Sequence, residues 1–107
     1  MERYTPRAPR SPLIADVQIL DLQSSKPMSA KTSDLSIGGC FLPMEKPLAV
    51  RTPVRLEVTH NGTTLTVFGD VVRSETGKGM AVRFRAIEPA QADILKRWFF
   101  ALDRFDE

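Results

Sequence analysis

The sequence is poor in the side chains that cross-linking and most enzymatic chemistry require. It has one cysteine, Cys40, and one histidine, His60, among 107 residues. A lone cysteine has no partner for a disulfide within the chain, which agrees with a reducing compartment. One cysteine and one histidine also argue against a transition-metal site and against a cysteine–histidine catalytic pair. We therefore expect no metal, no cofactor and no enzymatic activity.

Long apolar runs are also missing. No stretch reaches the roughly 20 apolar residues that a membrane-spanning helix needs. The first residues, Met1 to Pro6, contain no apolar segment of the kind found in secretory signals. We expect a cytoplasmic protein without membrane insertion, and at this length a single domain with one core.

The chain has little excess charge, and the position of that charge is informative. The formal net charge is +2. Three of the 15 basic residues and one of the 13 acidic residues lie in residues 1–12, so the rest of the chain balances at twelve of each sign. A neutral body argues against a broad face for DNA or RNA. The N-terminal excess favours a local anionic partner.

Residues 1–12 combine three prolines with Arg3, Arg7 and Arg10. Because proline fixes φ and removes a backbone donor, this segment predicts an extended arm rather than a helix or a central strand. We expect the arm, residues 1–12, to be flexible until a partner binds it. Residues 13–107 are then the folded domain. Taken alone, the arm also fits an ordinary disordered tail.

Alternating apolar and polar residues predict six strands in the body of the chain. The strongest hairpin signal is Asn61-Gly62, because a type I′ turn needs positive φ at both central residues. Gly69, inside the following strand, predicts a bulge or a bend. Short strands and tight turns are typical of a small antiparallel barrel, although the pattern leaves strand order and closure open. The predicted strands are 13–22, 28–34, 40–42, 54–60, 63–72 and 80–84.

A helix is predicted after the strands. It begins at Pro89, a favourable first helical position. Apolar residues then recur at spacings of three and four, and charged residues cover the opposite side. The stripe predicts a helix that covers the barrel, with a membrane-binding or partner-binding helix as the alternative. Its members are Ile94, Leu95, Trp98, Phe99, Leu102 and Phe105.

The segment Asp34 to Gly39 reads D-x-S-x-x-G. The side chains of Asp34 and Ser36 can hydrogen-bond nearby backbone, and Gly38 and Gly39 permit positive φ or close approach to the backbone. A plain β-turn held by Asp34 explains the hexapeptide equally well. We interpret Cys40, which follows it, as a small core residue rather than a reactive thiol.

Two motifs together give the sequence a family resemblance. Arg3 and Arg7 form R-x-x-x-R, and Asp34, Ser36 and Gly39 form D-x-S-x-x-G, in that order and ahead of a run of hairpins and a terminal helix. Over almost its whole length the chain resembles the PilZ domain family. The resemblance implies a mainly β fold, a six-stranded antiparallel β-barrel with a C-terminal α-helix and a flexible N-terminal arm. It also implies a bacterial receptor for the second messenger cyclic di-GMP.

The resemblance assigns ligand contacts to the arm. Carried over by position, Arg3 and Arg7 bind phosphates and stack on guanine while the arm folds over the ligand. Arginine suits both tasks, because its planar fork matches a phosphate or the O6 and N7 edge of guanine. Arg10 lies outside the motif and is an additional candidate contact. Glu2 stands where many relatives that bind a ligand dimer carry another arginine, so we expect one ligand per domain.

The second motif supplies the rest of the expected site. By the same resemblance, Asp34 and Ser36 contact guanine and neighbouring polar groups. A carboxylate can accept from the N1–H and N2–H₂ edge of guanine, and a hydroxyl can donate to a phosphate. Gly39, and Gly38 beside it, would let backbone N–H groups approach the ligand closely.

We expect a stand-alone receptor that passes its signal to an unknown downstream protein, with motility, biofilm formation or a related process as the output. The alternative is a PilZ-like adaptor that binds only protein, for example in type IV pilus machinery. A barrel that binds single-stranded nucleic acid ranks behind both, because such sites place several aromatic residues on strands. Arg83 and Arg85 could line a ligand site, although a solvated outer face is the simpler interpretation.

Overall fold

The structure, a computed structural model, describes residues 14–106, with side chains described for residues 14–99. The predicted arm, with Arg3, Arg7 and Arg10, lies outside the described residues. Within residues 14–106, seven strands and one helix follow one another along the chain. They are β1 (Asp16–Asp21), β2 (Pro27–Lys31), β3 (Asp34–Leu35), β4 (Gly39–Pro43), β5 (Pro53–His60), β6 (Thr63–Glu75), β7 (Gly79–Ala86) and α1 (Pro89–Asp106).

The strands form one antiparallel sheet in the order β2-β1-β5-β6-β7-β4-β3. The sheet curls into a half-barrel, so that β2 comes close to β4 although no ladder joins them. This confirms the predicted fold class, mainly β with a C-terminal helix. The sheet has seven strands where six were expected, and the additional one is the two-residue β3.

The additional strand arises because the chain changes its pairing partner after β2. The amide of Ala15 donates to Oγ1 of Thr32 at 3.0 Å, which holds Thr32 against the start of β1. One residue later, the amide of Ser33 donates to the carbonyl of Phe41 at 3.1 Å, so the chain has moved to β4. The predicted strand 28–34 is therefore two strands, β2 and β3.

The hairpin and bulge predictions for the centre of the sheet are confirmed. Asn61 and Gly62 have φ of 52° and 78°, as a type I′ turn requires. The pairing of β6 with β7 shifts between Phe68 and Gly69. A Cβ at Gly69 would lie 2.5 Å from the carbonyl oxygen of Arg83, so only glycine lets the two strands approach this closely.

The inward side chains of the strands and one face of the helix form a single core. Leu95 and Phe99 of α1 are buried in it, which confirms that the helix covers the sheet. His60, at the end of β5, packs edge-on against Trp98 with ring centroids 5.2 Å apart. The largest fully buried side chains are Ile19, Leu35, Leu42, Leu56, Leu65, Met80, Leu95, Val17, Val54, Val58, Val67 and Val71.

The turn after β1 is held by the carboxylate of Asp21. Its Oδ1 accepts hydrogen bonds from the amides of Gln23 at 2.8 Å and Ser24 at 3.3 Å. The bond from Gln23 is the main reason that the pKa of Asp21 is lowered from its ordinary value of 3.8, against the opposing effect of burial. A carboxyl whose pKa is lower in the folded chain stabilises the fold above its unfolded pKa, and this stabilisation is lost as the pH falls through the folded pKa.

We expect Asp21→Asn to weaken the dependence of the free energy of unfolding on pH at acidic pH. Asparagine keeps an oxygen acceptor for the turn but does not ionise. The wild-type advantage over this variant should therefore be full above about pH 4 and should disappear at lower pH. Urea unfolding across this range measures it, with Asp16→Asn, which removes an exposed partner of Lys31, as the control. A wild-type advantage that stays constant down to the lowest pH would contradict the assignment.

Candidate functional site

An open groove of about 300 Å³ lies on the outer face of the sheet, where the loop between β3 and β4 meets β6 and β7. We call it the motif groove. It brings the D-x-S-x-x-G residues together with two arginines from other strands. Its lining residues are Asp34, Ser36, Gly38, Gly39, Cys40, Phe41, Val72, Arg73, Ala81, Val82 and Arg83.

The loop of the motif is a tight turn closed by Ser36. The amide of Ser36 donates to the carbonyl of Gly39 at 2.8 Å, and its Oγ donates to the same oxygen at 3.3 Å. The amide of Gly38 donates in turn to Oγ of Ser36 at 3.2 Å. Asp34 lies in β3, half-buried and paired with Phe41. The hexapeptide therefore contains a turn, as the turn interpretation predicted, but Ser36 forms the hydrogen bonds that close it, a role which that interpretation gave to Asp34. Asp34 and Ser36 both lie on the wall of the groove.

The two glycines of the motif serve different purposes. Gly39 is paired with Arg83 in the ladder between β4 and β7, and a Cβ there would lie 2.3 Å from the carbonyl oxygen of Val82. Close strand packing therefore requires glycine at this position. At Gly38 a Cβ would meet nothing within 4 Å, so the fold itself leaves the space above that residue open.

Arg73 lines the groove, although no pattern in the sequence predicted it. Val71 is buried, and strict alternation would turn Arg73 towards the core as well. Instead, the pairing of β6 with β7 shifts between Val71 and Arg73. Val72 and Arg73 are consequently both exposed on the groove side. A bulge commonly re-aims a side chain in this way, but no residue type at this position signals it.

The two arginines of β7 have different surroundings. Asp70 lies opposite Arg83 in the ladder, but its Oδ2 accepts from Nε of Arg85 at 2.9 Å. Among the side chains described, neither Arg73 nor Arg83 forms an ion pair. Both β7 arginines are exposed, as a solvated outer face predicts, and Arg83 also lines the motif groove.

Cys40 lies under the groove as part of the core, which confirms that interpretation. Its side chain is buried, and burial raises the pKa of the thiol to about 12, with a further contribution from the charge of Asp34. Such a thiol is a poor nucleophile because the thiolate is the reactive form.

Two kinds of feature are absent from the described part of the chain. Within residues 14–106, no helix is long and apolar enough to cross a membrane. No group of three or more His, Cys, Asp or Glu side chains in the same part of the chain could hold a metal ion.

Comparisons with known proteins match the chain to one family of domains. A family model described as PilZ domain matches residues 3–101. The PilZ domain of CeSA from a cellulose-synthesizing bacterium is 26% identical, with a TM-score of 0.69 over 88% of this chain and 97% of that one. A search of curated proteins found no match.

Two further solved structures share the fold at lower identity. The PilZ domain of YcgR from Escherichia coli, solved with cyclic di-GMP, is 18% identical, with a TM-score of 0.71 over 96% of this chain and 95% of that one. The Bacillus subtilis inhibitor of motility (MotI/DgrA) is 15% identical, with a TM-score of 0.76 over 94% of this chain. The chain spans about half the length of the Bacillus subtilis protein, because the match covers 52% of that protein.

We expect Gly39→Ala to destabilise the fold by about 1–3 kcal/mol, the usual cost of overpacking, because the new methyl group would overlap the carbonyl of Val82. Gly38→Ala is the matched control, and it should unfold at nearly the wild-type urea concentration. Equal unfolding midpoints for the two variants would show that the close approach of β4 to β7 is not required.

The thiol of Cys40 should be unreactive in the folded protein. At about pH 8 a thiol-specific reagent should modify it only when urea unfolds the chain, because the native group is buried and protonated. The measurement is the rate of modification with and without denaturant. Rapid labelling of the native protein would show that the groove exposes the thiol.

Proposed function

The chain belongs to the PilZ domain family, a family of cyclic di-GMP receptor domains, and we propose that it binds this dinucleotide in the motif groove. One observation carries the proposal. The D-x-S-x-x-G loop and two exposed arginines that form no ion pair with any described side chain, Arg73 and Arg83, line the same groove although they come from three separate parts of the chain.

The chemistry of the groove matches the ligand. Cyclic di-GMP presents two phosphates and two guanines. The guanidinium groups of Arg73 and Arg83 can each donate two hydrogen bonds to a phosphate or to the O6 and N7 edge of guanine. Each such charge-assisted bond contributes about 1.5–3 kcal/mol. The carboxylate of Asp34 can accept from the N1–H and N2–H₂ edge of guanine.

The motif loop can accept a ligand without refolding. The bond from Oγ of Ser36 to the carbonyl of Gly39, at 3.3 Å, is long for a hydroxyl donor, so this hydroxyl can turn towards a phosphate. The open space above Gly38 lets a ligand approach the loop backbone. We assign Gly39 an indirect role, in which it holds the loop against β7.

The N-terminal arm is within reach of the groove. The amide of Thr32 donates to the carbonyl of Ala15, and the amide of Ala15 donates to Oγ1 of Thr32. Thr32 is two residues before Asp34 in the chain. Arg7 precedes Ile14 by seven residues, a span of at most about 25 Å when extended. Arg3, Arg7 and Arg10 would then close the open side of the groove over the ligand, with one ligand per domain because Glu2 would repel a second set of phosphates.

We place this receptor in the cytoplasm, with protein contact as its output. Ordering of the arm by the ligand would change the surface that the domain presents to a downstream protein, in the manner of an order–disorder switch. The charged side chains of the motif groove would bind the ligand that triggers this switch.

Calorimetric titration with cyclic di-GMP tests the proposal. We expect wild-type protein to bind, and Arg73→Ala and Arg83→Ala each to weaken binding about ten- to a hundredfold, which is the loss of one charge-assisted contact. Arg97→Ala, an exposed arginine on α1, is the matched control and should bind as wild type does. GTP and cyclic di-AMP serve as controls for ligand selectivity.

Two outcomes would contradict the proposed site. Wild-type affinity in both groove variants would place the ligand elsewhere. Absence of binding by wild-type protein would leave an adaptor that binds only protein.

A further inference from the structure

A second groove, larger than the first, lies on the same outer face at the end of β7. It measures about 650 Å³ and is lined mainly by Phe68, Ala86, Ile87, Glu88 and Pro89. We call it the Phe68 groove. Phe68 is 37% exposed, which is unusual for a large aromatic side chain in the middle of a sheet.

The groove exists because β7 leaves β6 early. The last pair between them is Phe68 with Ala86, although β6 extends back to Thr63. Beyond that pair, the amide of Thr66 donates to Oε1 of Gln91 at 2.6 Å, so the helix has already satisfied this part of the strand edge. An incoming partner therefore finds no free donor at Thr66 for strand addition, and it would be recognised by side chains.

Some of the charged side chains around Phe68 form ion pairs, and one does not. Arg55 lies opposite Phe68 on β5 and is 3.8 Å from the carboxylate of Glu57. On the other side, Arg85 is bonded to Asp70. Glu88, at the edge of the groove, forms no ion pair with any side chain described. The groove thus has an apolar centre, two paired arginines at its border and one carboxylate, that of Glu88, which pairs with no described side chain.

This arrangement resembles a protein-docking surface more than a site for a nucleotide. Aromatic residues at the centre and paired charges at the border are typical of protein interfaces. A free carboxylate would repel phosphates and attract a cationic side chain.

The Phe68 groove also lies next to the motif groove on the outer face of the sheet. Outward residues along β6 run from Phe68 through Asp70 to Val72 and Arg73. The Asp70–Arg85 pair separates the two grooves, and Asp70 also lies opposite Arg83 in the ladder. A ligand held by Arg83 would therefore lie one residue pair away from the border of the Phe68 groove.

We propose that the Phe68 groove docks a protein partner whose surface presents an apolar side chain beside a lysine or arginine. The apolar side chain would pack on Phe68, and the cationic group would pair with Glu88. The inference rests on the proposed function in one respect, namely that this surface would pass the receptor's signal to the partner.

Selection from a displayed random peptide library on the full chain tests the proposal. We expect the enriched peptides to share an apolar residue next to lysine or arginine. Synthetic copies should bind Phe68→Ser and Glu88→Lys at least tenfold more weakly than wild type in fluorescence anisotropy. Val50→Ser, which changes an exposed apolar residue outside the groove, should bind as wild type does. Circular dichroism checks that each variant is folded.

Three results would overturn the proposal. They are peptides with no shared cationic residue, peptides that bind the two groove variants and wild type equally, and self-association of the chain that the same variants abolish, which would make a second copy the occupant. Repeating the titration with Arg83→Ala separates this inference from the proposed function. Peptide binding by this variant would support the docking site whatever its affinity for cyclic di-GMP, and wild-type protein that binds the peptides but not cyclic di-GMP would contradict only the receptor role.

Discussion

The close backbone packing of β4 against β7 is the constraint on which the candidate site depends. Gly39 has no room for a side chain, because the carbonyl of Val82 occupies the position that a Cβ would take. This ladder holds the D-x-S-x-x-G loop beside the outer face of β7, where Ala81 and Arg83 lie. A wider spacing would separate the loop from Arg83, and the residues of the motif would then form an isolated turn. The motif glycine thus acts through packing, whereas Gly38 leaves open space for a ligand.

Irregular pairing between β6 and β7 determines which charges are available on the outer face. The shift after Val71 turns Arg73 outward into the motif groove, and the shift at Gly69 accompanies the pairing of Asp70 with Arg85. Asp70 therefore neutralises the arginine outside the groove, while Arg83, its direct neighbour in the ladder, stays without an ion pair among the described side chains. Two positive charges face the motif loop as a result, and this is the reason that we propose an anionic ligand for the groove.

Much of the fold could be predicted from local rules, because those rules act on a few neighbouring residues. Asn61-Gly62 specifies its turn through φ, Gly69 marks a bulge, and the apolar stripe after Pro89 places α1 on the core. The change of pairing partner at Thr32 and the exposure of Arg73 could not be predicted, since both depend on strands distant in sequence. The sequence predicted Asp34, Ser36 and Gly39 as site residues, and the structure brings them to one groove. The arm arginines lie outside the described residues and stay a prediction.

The most direct test of the account is a titration of isotope-labelled protein with cyclic di-GMP, followed through the backbone amide signals. We expect the largest shifts to fall on the motif loop and on the adjoining parts of β6 and β7, including Ser36, Gly38, Arg73 and Arg83. Saturating ligand that leaves these signals unchanged, or that moves only signals of α1 and the β5–β6 hairpin, would contradict the claim that the motif groove is the binding site.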